Sequence, residues 1–227
     1  MPALSMTKIF LIRHGDVAGN SGAKRTFAGA RDLELTPLGL RQAEAVAQRM
    51  SGEKVDAVYA SGLRRAWRTA DGIAARHGLV TVRDTAWNEV NYGEWEGLSE
   101  EEILERYPRE WNARVQDPFN ISPPGGESYQ ELWARLEPAW HALVERDLGQ
   151  NVVVVGHNGS LRVLLCALLQ APLANARRLA IGNCSVTRVS IGEGGNEPLA
   201  NSNGQLKGPP VVVDYINNTC HLEGING

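Results

Sequence analysis

Cysteine is scarce: among 227 residues there are three, Cys166, Cys184 and Cys220, and no Cys-x-x-Cys pair. An odd count at wide spacing excludes a disulfide framework and carries no zinc or dithiol signature, so buried, reduced thiols are expected. An excess of one charge is missing too. With 23 Lys and Arg against 26 Asp and Glu the formal net charge is -3, which does not suit a nucleic-acid backbone as partner. Long apolar runs are also lacking at the start: in MPALSMTKIFLI the run is broken at Lys8 and stops at Arg13, too short for a signal-peptide core or a membrane span. The chain is therefore expected in the cytoplasm, away from membranes. What is present, 43% hydrophobic and 22% charged residues, is the composition of a globular protein with a sizeable core.

Short apolar runs alternate with helical patterns. KIFLI from Lys8, VDAVYA from Val55, LVTV from Leu79, VVVV from Val152, SVTRVSI from Ser185 and VVVDYI from Val211 read as strands. In TPLGLRQAEAVAQRM, Thr36 caps a helix with Pro37 at its first position, and Glu127 to Val144 and Leu161 to Leu169 also read as helices. Strands separated by helices predict an α/β fold with a largely parallel sheet covered on both faces. Two Gly-, Pro- and Asn-rich stretches, from Asp117 and over 192–210, read as loops. Neither divides the chain, because strands needed for one sheet lie on both sides, so a single domain over 1–227 is expected.

In open α/β sheets ligands sit beyond the carboxyl ends of the strands, where amides and helix N-termini are free to meet an anion. LIRHGDVAGN delivers Arg13 and His14 to such an end, and NVVVVGHNGSLR delivers His157 to another. The two histidines can then meet at one sheet edge. A third strand end, in VDAVYASGLRRAWRTA, opens a helix whose first turn carries Arg64 and Arg65.

These segments resemble the histidine phosphatase superfamily, the branch that contains cofactor-dependent phosphoglycerate mutases and many small phosphatases. The motifs run in the family's order across nearly the whole chain: RHG at Arg13, Asn20, AGARDLELTPLGLRQA, SGLRRAWRTA, NEVNYGEWEG, PPGGES, GHNGSLR and NNTCHL. The resemblance implies a three-layer α/β/α sandwich with a mainly parallel central sheet, and a lid-like insertion around 98–126. It further implies a phosphohistidine intermediate with no metal and no cofactor. Carried over by position, His14 is the nucleophile, Glu89 the proton donor, and Arg13, Asn20, Arg65, His157 and Asn158 form the phosphate pocket.

The chemistry fits those residue types. Two arginine forks can offset the charge of a phosphoryl transition state, and Asn20 and His157 can add donors. An attacking His14 must be neutral at its attacking nitrogen, which points to the other nitrogen donating to a backbone carbonyl. Asp16 is expected to orient its loop, Trp95 to pack in a core, Arg64 and Arg68 to be solvated, and the acidic run from Glu94 to Glu102 to form an exposed loop and helix start. Val17 replaces a common threonine, and Arg106, Arg109 and Arg114 are scattered where mutases carry adjacent basic pairs. Hydrolysis of a small phosphorylated metabolite is therefore the expected activity. The alternatives are a mutase and a non-catalytic phospho-ligand binding module. A homodimer is compatible with the sequence.

Overall fold

The computed structural model describes residues 6–19, 25–192 and 211–225. The earlier expectation for Asn20, and nearly all of the 192–210 stretch, lie outside them. Six strands form one sheet: β1 (Thr7–Arg13), β2 (Ala57–Ala60), β3 (Val82–Arg83), β4 (Asn151–Gly156), β5 (Val186–Ile191) and β6 (Val211–Asn218). Their order is β3-β2-β4-β1-β5-β6. The pairs β1–β4, β2–β4 and β2–β3 are parallel, whereas β5 pairs antiparallel with both β1 and β6.

The central strands read as unbroken apolar runs because both of their faces are covered. Val152, Val153, Val154 and Val155 have no exposed surface. Ile9, Leu11, Val152 and Val154 pack with α5 (Tyr129–Arg146) and α6 (Asn158–Leu168) on one face. Phe10, Ile12, Val153 and Val155 pack with α1 (Pro37–Met50) and α2 (Arg64–Arg76) on the other. The period of two along each strand thus sorts alternate side chains into the two outer layers.

Local signals set the helix starts. Thr36 Oγ1 accepts from Gly39 N at 3.0 Å and Pro37 opens α1. The acidic run holds more structure than expected: α3 (Glu100–Arg106) and α4 (Pro108–Gln116) follow one another. Ser99 and Glu102 exchange backbone and side-chain bonds in a capping box, and Pro108 begins α4. The strand expected over LVTV is reduced to Val82 and Arg83, because it runs at the sheet edge, where Val80 and Val82 are exposed. The helix expected from Leu161 starts at Asn158, behind an extended His157. Cys166 and Cys184 are buried as expected; Cys220 is exposed, which corrects the expectation of three buried thiols. Among the described residues no helix is long and apolar enough to cross a membrane.

Candidate active site

Register brings the two histidines together. Arg13 pairs with Gly156 across the parallel strands β1 and β4, so the next residue of each strand emerges beside the other. His14 N donates to Gly156 O at 3.1 Å, and the imidazole centroids of His14 and His157 are 5.0 Å apart at 58°. The rings touch. No group fits between their planes, so only their nitrogen edges are open to a ligand.

The tautomer of His14 follows from its partners. Nδ1 lies 2.6 Å from Gly15 O, a carbonyl that can only accept, so Nδ1 carries the hydrogen and Nε2 the lone pair. Arg65 Nε donates to Nε2 at 3.2 Å. Burial, then the charges of Arg65 and Arg13, holds His14 well below the ordinary imidazole range, and the Gly15 bond opposes them. Burial and Arg65 hold His157 well below that range too. Both rings are therefore neutral at pH 7. Neither ring nitrogen of the fully buried His157 has a hydrogen-bond partner, an arrangement suited to a ligand atom.

Two arginines are built in beside them. Arg65, fully buried on α2, sends Nη1 to Arg31 O at 2.5 Å and Nη2 to Gly29 O at 2.6 Å. Arg64, one residue earlier, points to solvent and pairs with Asp32 and Glu34. The helix thus selects Arg65 over Arg64. Arg13 Nη1 donates to Ile181 O at 2.7 Å, and burial pushes its guanidinium down to about 10, still charged at neutral pH. Gly15 permits the crowding: a Cβ there would lie 2.5 Å from the Gly39 carbonyl oxygen.

Glu89 is fixed by backbone. Its carboxylate accepts from Val90 N at 2.9 Å and from Gly159 N and Ser160 N at 3.0 Å each, the latter two in the first turn of α6. A Cβ on Gly159 would lie 2.6 Å from Glu89 Oε1, so this glycine leaves room for the acid. Arg13, His14, Arg65, Glu89, Asn158 and Arg162 share a cleft of about 280 Å³. The Asn158 Oδ1 and Arg162 Nε atoms in it are buried without partners.

A family model described as the histidine phosphatase superfamily, branch 1, matches residues 9–203. The chain belongs to the histidine phosphatase superfamily. Within that superfamily it is 30% identical over 217 residues to phosphoserine phosphatase 1 of Hydrogenobacter thermophilus, covering 96% of this chain and 95% of that protein. It is 34% identical over 188 residues to a probable phosphoglycerate mutase, GpmB, of Yersinia pestis, covering 83% of this chain and 86% of the relative. Its structure resembles mycobacterial glucosyl-3-phosphoglycerate phosphatase with a TM-score of 0.79 at 30% identity, over 94% of this chain and all of that one. The fold and enzyme class read from the motifs agree with these relatives.

Other expectations of the superfamily pattern resolve plainly. Asp16 orients its loop: Thr36 Oγ1 donates to Asp16 Oδ2 at 2.7 Å, and Asp16 N donates to Gln42 Oε1 at 2.8 Å. Val17 is fully buried and bridges to Leu35, a packing role. Trp95 lies in a satellite core with Ile103 and Trp111. Sequence reasoning missed Arg135 and assigned no role to Glu127. From α5, Arg135 donates to Ala86 O at 2.7 Å and Glu89 O at 2.9 Å, and is held by Glu127 at 2.7 Å. Its targets are backbone carbonyls, which leave no mark in a sequence.

Proposed function

We propose that the chain is a metal-independent phosphatase that hydrolyses a small phosphomonoester through a phosphohistidine on His14. The observation that carries this reading is the His14 ring itself: Nδ1 is tied to Gly15 O, Nε2 faces Arg65, and the His157 ring lies 5.0 Å away.

A phosphoryl transition state spreads negative charge over three oxygens, and fixed donors offset that charge without reorganising. Arg13, Arg65 and His157 are such donors. The Arg65 Nε hydrogen caps the nucleophilic lone pair, and an entering phosphate oxygen competes for that hydrogen and frees Nε2. Nε2 then forms a bond to phosphorus as the ester P–O bond breaks, and Glu89 in its acid form protonates the leaving oxygen. The imidazolium that results keeps its Nδ1 hydrogen on Gly15 O. In the second half, water attacks phosphorus, the P–N bond breaks, and the Glu89 carboxylate takes the water's proton, restoring neutral His14 and the acid. Of residues 98–126, which carry α3 and α4, Glu100 lines the cleft.

The test is turnover of p-nitrophenyl phosphate and a panel of phosphomonoesters in excess chelator. Activity that survives chelation supports the reading, and activity that returns only on adding a divalent metal contradicts it. A second reading, the mutase, is favoured by the relatedness to GpmB. It requires that bisphosphoglycerate prime the interconversion of 2- and 3-phosphoglycerate, and failure of that assay removes it.

A further inference from the structure

The motif NNTCHL near the C-terminus takes no part in the reaction described above, yet hydrogen bonds tie it to the nucleophile. β6 ends at Asn218, and a 3-10 turn, Cys220–Leu222, follows. Leu222, 3% exposed, anchors that turn in the core cluster of Phe10, Ile12, Met50 and Cys184. The half-buried His221 beside it has both ring nitrogens engaged. Nε2 lies 3.0 Å from Cys184 O, a carbonyl that can only accept, so Nε2 carries the hydrogen. Nδ1 then accepts from Arg49 Nη1 at 3.1 Å. Arg49, on α1, is itself fixed by Asn218 Oδ1 at 2.8 Å and the Tyr215 hydroxyl at 3.3 Å.

The residue that His221 holds is strained. Cys184 has φ of +50°, a left-handed conformation that persists in a residue with a side chain only where its surroundings fix it. Its N–H donates to Arg13 O at 2.9 Å and to His14 O at 3.3 Å, and Nδ2 of the neighbouring Asn183 donates to His14 O at 2.9 Å. The Asn183–Cys184 turn therefore carries the backbone of the nucleophile on one side. On the other it rests on His221.

We propose that His221 is a positioning residue for the reaction: through Cys184 O it holds the strained turn whose N–H groups fix the His14 carbonyl, and with it the setting of the His14 ring. The inference rests on the phosphatase reading above. Only the neutral ring can act in this way, because protonation places an N–H on Nδ1 against the Arg49 guanidinium and opens the link. Burial, then the Arg49 charge, hold His221 below the ordinary imidazole value, and the Cys184 bond opposes them. Among the described residues the charged group that faces the ring is Arg49; the Cys220 thiol and the Tyr215 hydroxyl lie on its side, and Arg188, over the Tyr215 ring, is paired with Asp214.

The experiment measures kcat and KM for p-nitrophenyl phosphate across pH in the parent chain, His221→Leu and His221→Gln. Leucine removes both hydrogen bonds, whereas glutamine can donate to Cys184 O and accept from Arg49 without titrating. Near neutral pH His221→Leu is expected to lower kcat by about 10- to 100-fold with KM little changed, the signature of a displaced reacting group. His221→Gln is expected to restore most of that loss. Its kcat relative to the parent should rise as pH falls below 6.5, where the parent's ring takes up a proton and loses the link. Unchanged kcat in folded His221→Leu overturns the role. An equal loss in both variants at every pH shows packing alone and overturns it too. Should His221→Leu fail to fold, His221→Gln decides: a ratio to the parent that stays constant with pH contradicts the role. A parent chain that hydrolyses no phosphomonoester refutes the phosphatase reading, and the role with it.

Discussion

The two ends of the cleft are built differently. At the histidine end four groups leave a strand end, a loop or a first helical turn and are tied to backbone, Arg13 to Ile181 O, His14 to Gly15 O, Arg65 to Gly29 O and Arg31 O, and Glu89 to two amides of α6, around a His157 ring whose nitrogens have no partner. At the aromatic end the walls come from Trp95, α4 and the 3-10 turn Leu173–Arg178, held by ring packing and carrying unused donors. Phosphoryl transfer needs fixed dipoles, and the scaffold supplies them from its most constrained parts.

That contrast can be broken or sharpened by experiment. Substitution at the rigid end should be the more damaging. His14→Ala should lose turnover by on the order of 10⁴-fold or more in a steady-state assay, since no other side chain replaces the nucleophile. Glu89→Gln should lower kcat by about 10²- to 10⁴-fold with poor leaving groups and least with p-nitrophenolate. An equal loss across leaving groups would show that Glu89 does not donate the proton. Arg65→Met and His157→Gln should each cost about 10²- to 10³-fold in kcat.

The rigid end also sets a pH dependence of stability. His14 and His157 have folded-state values well below 6.5, so below that pH the unfolded chain binds protons that the folded chain refuses. Stability contributed by keeping both rings neutral is full above pH 6.5 and is lost as pH falls beneath it, by at most about 1.4 kcal/mol per pH unit for each ring. Denaturant titrations at descending pH should show a shallower loss in His157→Gln than in the parent chain. The smallest effect is expected at Arg64, half-exposed and paired only with surface acids: Arg64→Met should change kcat/KM by less than about twofold. A large loss there would overturn the assignment of Arg65.

Much of the rigid end was legible because it follows strand ends. Two apolar runs, KIFLI and VVVV, each stop with a single residue left before a histidine, and parallel register then makes His14 and His157 neighbours. Strand direction was less legible: β5 alternates and pairs as any strand does, and nothing in SVTRVSI states that it runs antiparallel to β1. LVTV had the propensity of a strand but no partner beyond Val82 and Arg83. The helices α3 and α4 were readable from Ser99 with Glu102 and from Pro108, signals that the acidic composition masked. The aromatic end was not readable. Trp95, Arg114 and Arg177 are far apart in sequence, and the first two look like core and surface residues until the fold joins them.

The covalent intermediate is the central claim, and rapid quench with a phosphate-labelled substrate tests it most directly. A label that is stable to alkali, labile to acid and mapped to the peptide containing His14, and absent from His14→Ala, is the expected result. Full turnover with no trapped label at His14, or with label on another residue, would contradict it.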